Sequence, residues 1–232
     1  MITLRPGAER GRTLLKWLDS RHTFSFGEYH DPRQMGFRTL RVLNDDRVAP
    51  GGGFATHGHR DMEILSYALS GTLEHKDDLG NGSAIRPGEI QFMRAGTGVL
   101  HSEYNPSQTE PAHFLQIWIL PAERGLPPTY SQHAFDREAA RVGFVLLASG
   151  DRGEGGIRLQ QDVSVYVTMP APGTPCTLPL AAGRHAWVHV ARGMAVVNGQ
   201  ALGAGDGAAL SAEPHLVVAG QADAEVLVFD LA

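Results

Sequence analysis

Short, mostly apolar segments that end at Gly or Pro constrain the fold of this chain more than any other feature. Segments 63–69, 114–120 and 142–147 are each followed within three residues by Gly or Pro. Apolar runs of this length with turn residues at their ends are typical of β-strands. The only helical candidates are short and lie at Thr13–Trp17 and Asp136–Arg141. The sequence therefore predicts an all-β fold.

A faint internal repeat divides the chain into two similar halves. Residues 64–72 align with residues 186–194, and each segment places a Gly after an apolar strand. Repetition of this kind predicts two β-sandwich or barrel domains. We assign them to residues 1–135 and 136–232, and residues 122–141 contain the linking region.

Composition excludes several function classes. The 232 residues carry 20 Lys and Arg against 25 Asp and Glu, a net charge of −5, which disfavours direct binding of nucleic acid. No apolar run approaches the roughly 18 residues that a membrane span requires, and the N-terminus lacks the apolar region of a signal peptide. The single cysteine, Cys176, cannot form an internal disulfide. We therefore predict a cytoplasmic protein.

Two histidine clusters carry the chemistry. If His57 begins a strand, the period of two places His57, His59 and Glu63 on one face, and the same period places His101 and Glu103 on one face of a second strand. Two such strands facing each other bring three imidazoles and a carboxylate around one point. This set suits Fe, Mn, Co, Ni, Cu or Zn and leaves coordination positions open for substrate or dioxygen.

The residues around these clusters resemble known motifs. The spacing of His57, His59, Glu63 and His101 among glycines is similar to the two motifs of the cupin superfamily. Longer stretches resemble the pirin family, particularly bacterial members described as quercetin 2,3-dioxygenases. The resemblance covers about residues 1–135 closely and the rest loosely. The matching stretches are HTFSF (22–26), NDD (44–46), THGHRDME (56–63), EHKDDLGN (74–81) and AGTGVLHSEYN (95–105).

The resemblance implies a bicupin in which the N-terminal barrel holds one divalent metal. Its ligands would be His57, His59, His101 and Glu103, with Fe(II) as the first choice and Mn, Co, Ni, Cu or Zn as alternatives. The general cupin pattern would use Glu63 as the carboxylate, whereas the pirin pattern uses Glu103. We favour Glu103, and Glu63 would then orient one of the imidazoles from behind.

The activity implied by the resemblance is the oxidative cleavage of a flavonol such as quercetin by dioxygen, with ring opening and release of carbon monoxide. Glu103 would be the catalytic residue and would accept the proton of the flavonol hydroxyl. Two alternatives stay open: a metal-binding protein with a regulatory or interaction role, as also described for pirins, and a dioxygenase with another substrate. No docking motif for a protein partner is evident.

Other residues receive structural interpretations. The internal repeat places Pro179 and Ala181 where His57 and His59 would fall, so the C-terminal domain is expected to hold no metal. We interpret His22, His30 and His113 as packing or hydrogen-bonding residues. His75 is interpreted as a solvated strand end that could line the mouth of a pocket.

Overall fold

The computed structural model describes residues 1–150 and 156–232, whose regular secondary structure is almost entirely β-strand, and the predicted all-β class is confirmed. The first twelve strands are β1 (Ile2–Arg5), β2 (Gly11–Leu14), β3 (Leu18–His22), β4 (Leu40–Val48), β5 (Gly53–His59), β6 (Glu63–Ser70), β7 (Leu73–Asp77), β8 (Gly82–Ile85), β9 (Glu89–Arg94), β10 (Val99–Tyr104), β11 (Ala112–Ile119) and β12 (Thr129–Ala134). The remaining strands are β13 (Val145–Ser149), β14 (Ile157–Arg158), β15 (Val163–Thr168), β16 (Cys176–Pro179), β17 (His185–Val197), β18 (Gln200–Gly203), β19 (Gly207–Ser211) and β20 (His215–Leu231).

Helical structure in the described residues is limited to two 3₁₀ turns, Gly7–Glu9 and Ala139–Arg141. The second lies within the predicted helical segment Asp136–Arg141. The helix predicted at Thr13–Trp17 is wrong, because Thr13 belongs to β2 and pairs with Ser20 of β3. No helix in the described part of the chain is long and apolar enough to cross a membrane.

The chain divides into two compact units. One comprises Gly11–Ala134, and the other comprises Met1–Arg10 together with Phe135–Ala232. Residues 1–10, which the internal repeat assigns to the first domain, therefore belong to the other unit. There β1 pairs antiparallel with β19, with Ile2 opposite Leu210. Sequence patterns do not reveal a pairing between strands so far apart in the chain.

The unit Gly11–Ala134 contains two sheets. A seven-stranded sheet has the order β12-β9-β6-β11-β4-β3-β2, and a four-stranded sheet has the order β5-β10-β7-β8. Buried Leu73 and Ile85 of the smaller sheet pack in one cluster with Val48 and Phe114 of the larger sheet. The apolar cluster therefore lies between the two sheets, as in a β-sandwich.

The other unit is built on one nine-stranded sheet. Its main path is β1-β19-β17-β20-β15-β13-β14, while β16 pairs with β20 and β18 pairs with β17. Val188 and Val190 of β17 pack with Val226 and Val228 of β20, and all four are completely buried. The two valines of each strand lie two residues apart and therefore project from the same face into this cluster.

Tight turns at one end of β5 and β10 position the strands of the small sheet. Gly96, at φ 47°, occupies a turn in which a Cβ atom would overlap the carbonyl oxygen of Leu126. Asp61 also has a positive φ of 50°, and its amide donates to the carbonyl of Gly96 at 2.9 Å. The turn that follows β5 is thereby joined to the turn that precedes β10.

Candidate metal centre

The pairing of β5 with β10 brings three histidines together. His57 lies opposite His101 and His59 opposite Val99 in the antiparallel register, so the side chains of His57, His59 and His101 project from the same face. Their ring centroids are 4.5 to 4.8 Å apart. The ligand nitrogens of the three rings form one compact group that could hold a metal ion.

Hydrogen bonds on the far side of two of these rings determine which nitrogen faces the centre. Nδ1 of His57 lies 2.8 Å from the carbonyl oxygen of Ala55, which can only accept, so this nitrogen carries the hydrogen and Nε2 keeps its lone pair. Nε2 of His57 lies 3.1 Å from Nε2 of His101. The hydrogen on Nδ1 of His57 thus leaves a free lone pair facing His101.

His75 lies directly behind His101, and the interpretation of His75 as a solvated strand end is wrong. It is completely buried, and its Nε2 donates to a carboxylate oxygen of Asp77 at 3.0 Å. Its Nδ1 accepts from the amide of Gln91 at 3.2 Å and lies 3.3 Å from Nδ1 of His101. Since Nδ1 of His75 carries no hydrogen, only His101 can donate across this contact, and it would share the lone pair of His75 with Gln91. A hydrogen on Nδ1 of His101 leaves Nε2 of His101 as a second lone pair at the centre.

Burial keeps two of the histidines neutral. Burial, with a smaller contribution from the neighbouring histidines, lowers the pKa of His59 to about 4 and that of His101 to about 3. Neutral imidazole is the form that binds a metal ion. Since two imidazole lone pairs converge with no hydrogen between them, the residues present fit a divalent cation.

Glu103 is fully buried beside this cluster. Its two carboxylate oxygens accept hydrogen bonds from Ser66 at 3.2 Å and from Gln116 at 2.8 Å. Burial raises the pKa of Glu103 to about 7, although both hydrogen bonds act against the rise. The group of possible ligand atoms that includes Glu103 contains His75 and His101 rather than His57 and His59, so His101 is common to both groups.

Glu63 occupies a different place from the one that its spacing suggests. β5 ends at His59, the chain turns at Asp61, and Glu63 begins β6 in the seven-stranded sheet. The period of two therefore does not extend from His57 to Glu63, because the strand is interrupted. Glu63 is completely buried and opposite Arg94 and Ile119, and neither ligand group of the described residues includes it.

Three further histidines of this unit lie outside the cluster. His22 is buried and contacts Thr13 and Asn44, each at 2.8 Å. His113 contacts a carboxylate oxygen of Asp45 at 2.7 Å. His30 is exposed. None of the three belongs to a ligand group of the described residues. The contacts of His22 and His113 are of the predicted hydrogen-bonding kind, whereas His30 lies at the surface.

A cavity of about 560 Å³ adjoins the cluster and has the size of a small-molecule site. His57, His59 and Glu103 contribute to its wall. The largest apolar side chains in the wall are Trp17, Phe26, Phe54 and Trp118. The wall thus combines large aromatic side chains with polar groups both at the cluster and on β3 and β4, among them Ser20, Asn44 and Asp46.

Comparison with known proteins assigns the family. The model of the Pirin family matches residues 4–119. A curated protein of Escherichia coli K12 named quercetin 2,3-dioxygenase is 46% identical over 231 residues, which cover 100% of this chain and 99% of that protein. This chain belongs to the pirin family. The prediction of a pirin that resembles quercetin 2,3-dioxygenases is therefore confirmed.

Solved structures extend the comparison with pirins. The crystal structure of YhhW from Escherichia coli has a TM-score of 0.95 at 46% identity and covers 100% of this chain and 98% of that chain. A second structure, of bacterial pirin YhhW in complex with nickel(II), has a TM-score of 0.94 at 45% identity and covers 100% and 99%. Together with the histidine group, these similarities support a divalent-metal site in this pirin.

The C-terminal part of this pirin has its own match. Residues 146–231 match the model of a quercetinase C-terminal cupin domain. With the Pirin match in the first half, this confirms the predicted architecture of two cupin domains. Both groups of possible metal ligands in the described residues lie between His57 and Glu103.

Several polar residues of the site escaped the sequence analysis. Ser66 and Gln116, which bind Glu103, lie inside apolar runs that indicate only core strands. The same holds for Gln91, which binds His75. A signal was available in the period of two, because a polar residue at a core-facing position of a strand requires a buried partner.

Proposed function

We propose that this chain is a metal-dependent dioxygenase that cleaves flavonols such as quercetin, with opening of the central ring and release of carbon monoxide. The observation that carries the proposal is the position of the three-histidine group at the wall of an aromatic cavity that also contains the buried carboxyl of Glu103. Two proteins named quercetin 2,3-dioxygenase are 46% identical to this chain over its full length, and this similarity supports the choice of substrate.

His57, His59 and His101 would hold the metal, with Glu103 as the fourth ligand. When bound, a divalent metal would act as a Lewis acid that favours ionisation of the flavonol 3-hydroxyl and promotes reaction with dioxygen. The protein orients the ligands from behind. Ala55 fixes the ring of His57, and His75 fixes the ring of His101.

Glu103 would accept the proton of the flavonol hydroxyl. In the metal-free protein burial raises the pKa of Glu103 to about 7, so this carboxylate has a higher proton affinity than an exposed glutamate before a metal binds. Ser66 and Gln116 hold the carboxylate in one orientation, since each donates to a different oxygen. The aromatic side chains of the cavity, such as Phe54 and Trp118, would exclude water from the planar substrate.

Fe(II) is our first choice for the metal, on the resemblance to pirins. Mn, Co, Ni and Cu also suit a set of three imidazoles and one carboxylate, whereas Zn would bind without redox chemistry. We further propose a cytoplasmic location, which the buried, free thiol of Cys176 supports because unpaired cysteines are typical of reducing compartments.

Anaerobic reconstitution tests the proposal. The protein is loaded with Fe(II) or with each rival metal, air is admitted, and the decay of quercetin is followed at its visible absorption band. We expect metal-dependent decay and its loss, together with loss of bound metal, in His101→Ala. His113→Ala is the matched control because His113 contacts Asp45 outside the cluster.

Two results would contradict the proposal. Metal content of His101→Ala equal to that of the wild type would remove the histidine group as the metal site. Tight metal binding without quercetin decay under any metal would exclude flavonol cleavage and favour another substrate or a regulatory role.

A further inference from the structure

Two adjacent aspartates of β4 point to opposite faces of the seven-stranded sheet. Asp45 accepts hydrogen bonds from Arg47 at 2.9 Å and from His113 at 2.7 Å. Asp46 instead lines the cavity, as does Asn44 two residues earlier. The alternation of side chains along a strand explains this division. Only Asp45 has a basic partner within salt-bridge distance among the described residues.

The carboxyl of Asp46 is buried and incompletely bonded. Its residue exposure is 3%, and Ser20, directly opposite in β3, supplies a hydrogen bond. The other oxygen, Oδ1, is buried without a hydrogen-bond partner among the described residues. Burial, together with the charges of Asp45 and Glu103, raises the pKa of Asp46 to about 7.

Neighbouring donors on the same wall are already engaged. His22 contacts Thr13 and Asn44, and the amide of Gln116 donates to Glu103. Within residues 1–150 and 156–232, no side chain donates to Oδ1 of Asp46. A buried polar atom without a partner calls for an explanation, and at the wall of a cavity a bound molecule can supply the missing hydrogen bond. The missing donor can come from a molecule in the cavity.

We propose that Asp46 determines substrate specificity by accepting a hydrogen bond from a hydroxyl group of the bound ligand. This inference rests on the proposed function, since it places the ligand in the cavity beside His57 and His59. A flavonol that meets the histidine cluster through its 3-hydroxyl and 4-carbonyl oxygens carries further hydroxyl groups on its rings. The site therefore selects polyhydroxylated aromatic compounds over those without such a group.

The selection has a direct physical basis. A ligand without the second hydroxyl leaves Oδ1 of Asp46 buried and unbonded, whereas a ligand that carries it restores the bond. Sites built to bind a hydroxyl group discriminate strongly against analogues that lack it, because the polar atom of the protein is then left without a partner. Aromatic contacts alone would bind both ligands similarly.

Two flavonols separate these possibilities. Quercetin carries several ring hydroxyls, and 3-hydroxyflavone keeps the 3-hydroxyl and 4-carbonyl but lacks the others. Dissociation constants are measured on nickel(II)-loaded protein without dioxygen, by quenching of tryptophan fluorescence, since Trp17 and Trp118 line the cavity. We expect Asp46→Ala to weaken quercetin binding by about 10- to 100-fold and 3-hydroxyflavone binding by less than about 3-fold.

Asp45→Ala is the matched control, because it removes an equally buried aspartate from the opposite face. It should leave both dissociation constants unchanged. Asp46→Asn keeps the size and an acceptor oxygen and should lose less quercetin affinity than Asp46→Ala. Thermal unfolding checks the fold: loss of an incompletely bonded buried carboxyl should leave Tm unchanged or raise it.

Three results would overturn the role of Asp46. These are equal effects of Asp46→Ala on the two flavonols, no binding of either flavonol to the wild type, and a fall in Tm like that of a purely structural residue. Turnover separates this inference from the proposed function. Binding that depends on the ring hydroxyls, without oxygen-dependent decay of quercetin, would support the role of Asp46 and refute the dioxygenase activity. Quercetin decay that is unchanged in Asp46→Ala would support the dioxygenase activity and refute the role of Asp46.

Discussion

Asp77, His75 and His101 are linked by successive side-chain contacts. We therefore predict that Asp77, which lies outside the group of metal ligands, controls the affinity for the metal. Asp77 accepts from Nε2 of His75, and His75 in turn can accept from Nδ1 of His101. In Asp77→Asn the new amide can donate to Nε2 of His75, which moves the hydrogen of His75 to Nδ1. His101 must then carry its hydrogen on Nε2, where the lone pair for the metal would be.

The size of the expected change in metal affinity follows from the burial of these linked side chains. The side chains of His75 and Asp77 have no exposed surface, so water cannot replace the lost contact. Although burial opposes it, hydrogen bonds from His75 and Asn81 lower the pKa of Asp77, and its carboxylate is ionised at neutral pH. Partners that orient a metal-binding imidazole are worth 10- to 100-fold in metal affinity, or about 1.4 to 2.7 kcal/mol.

Competition with a chelator of known affinity measures this effect for Ni(II) and Zn(II). Asp77→Asn keeps an oxygen that can accept from the amides of Leu79 and Asn81, so the turn after β7 is preserved. Asp45→Asn is the control, since it alters the similar contact of His113 with a carboxylate away from the cluster. Nitrogen NMR of His101 should report the change of tautomer.

Unchanged metal affinity in Asp77→Asn would refute the reasoning, as would an equal loss in Asp45→Asn. If Asp77→Asn lowers the metal affinity while the tautomer of His101 stays the same, the change of tautomer is refuted as the cause, and a general effect on stability would remain.

Three further predictions concern Glu103, Asp46 and Gly96. Glu103→Gln should retain metal, measured by elemental analysis, but lose about 10²- to 10⁴-fold in kcat because it cannot accept the substrate proton; activity near that of the wild type would remove Glu103 as the base. The pKa of Asp46 is raised to about 7 in the folded state, so the folded protein holds a proton that the unfolded chain loses near pH 4. This proton alone contributes a fall in the stability of the metal-free protein of at most about 4 kcal/mol as pH rises from about 4 to 7, while the lowered pKa values of His59 and His101 contribute in the opposite direction. Urea unfolding of the wild type and of Asp46→Asn at pH 5 and pH 8 isolates the contribution of Asp46, and Asp46→Asn should gain stability relative to the wild type as pH rises. Gly96→Ala should lower the free energy of unfolding by at least about 1 kcal/mol in the same assay, because Gly96 has a positive φ and a Cβ atom there would overlap Leu126. Gly125→Ala should lower it by less, because Gly125 also has a positive φ but has open space around it.

The histidine group was predictable because its residues lie on the regularly paired part of two strands, and the register shift between these strands comes only after His101. His57 and His59 share β5, His101 lies on β10, and the period of two holds within each strand. The same reasoning failed for Glu63, where the period crosses the end of β5 and the left-handed turn at Asp61. Periodicity is informative only within a strand, and strand ends are the least certain part of a sequence-based prediction.

The polar residues behind and beside the cluster were harder to predict. His75 follows an acidic residue and precedes Lys76, which is typical of an exposed strand, yet it is buried because β7 lies between β10 and β8. Asp45 and Asp46 form a polar pair within β4, and only the observed sheet shows which of them faces the cavity. Sheet order depends on contacts between distant segments, which local patterns do not contain.

The pairing of β1 with β19 has a consequence for synthesis of the chain. Ile2 is among the first residues made, but its partner Leu210 is made about two hundred residues later. At 5 to 20 residues per second, β1 leaves the ribosome roughly 10 to 40 s before β19. The strands of Gly11–Ala134 are complete well before then, so this unit can fold while the preceding strand is still unpaired. An open strand edge invites association with other chains, and aggregation during expression should therefore respond to changes in β1 more than to changes in β5 or β10.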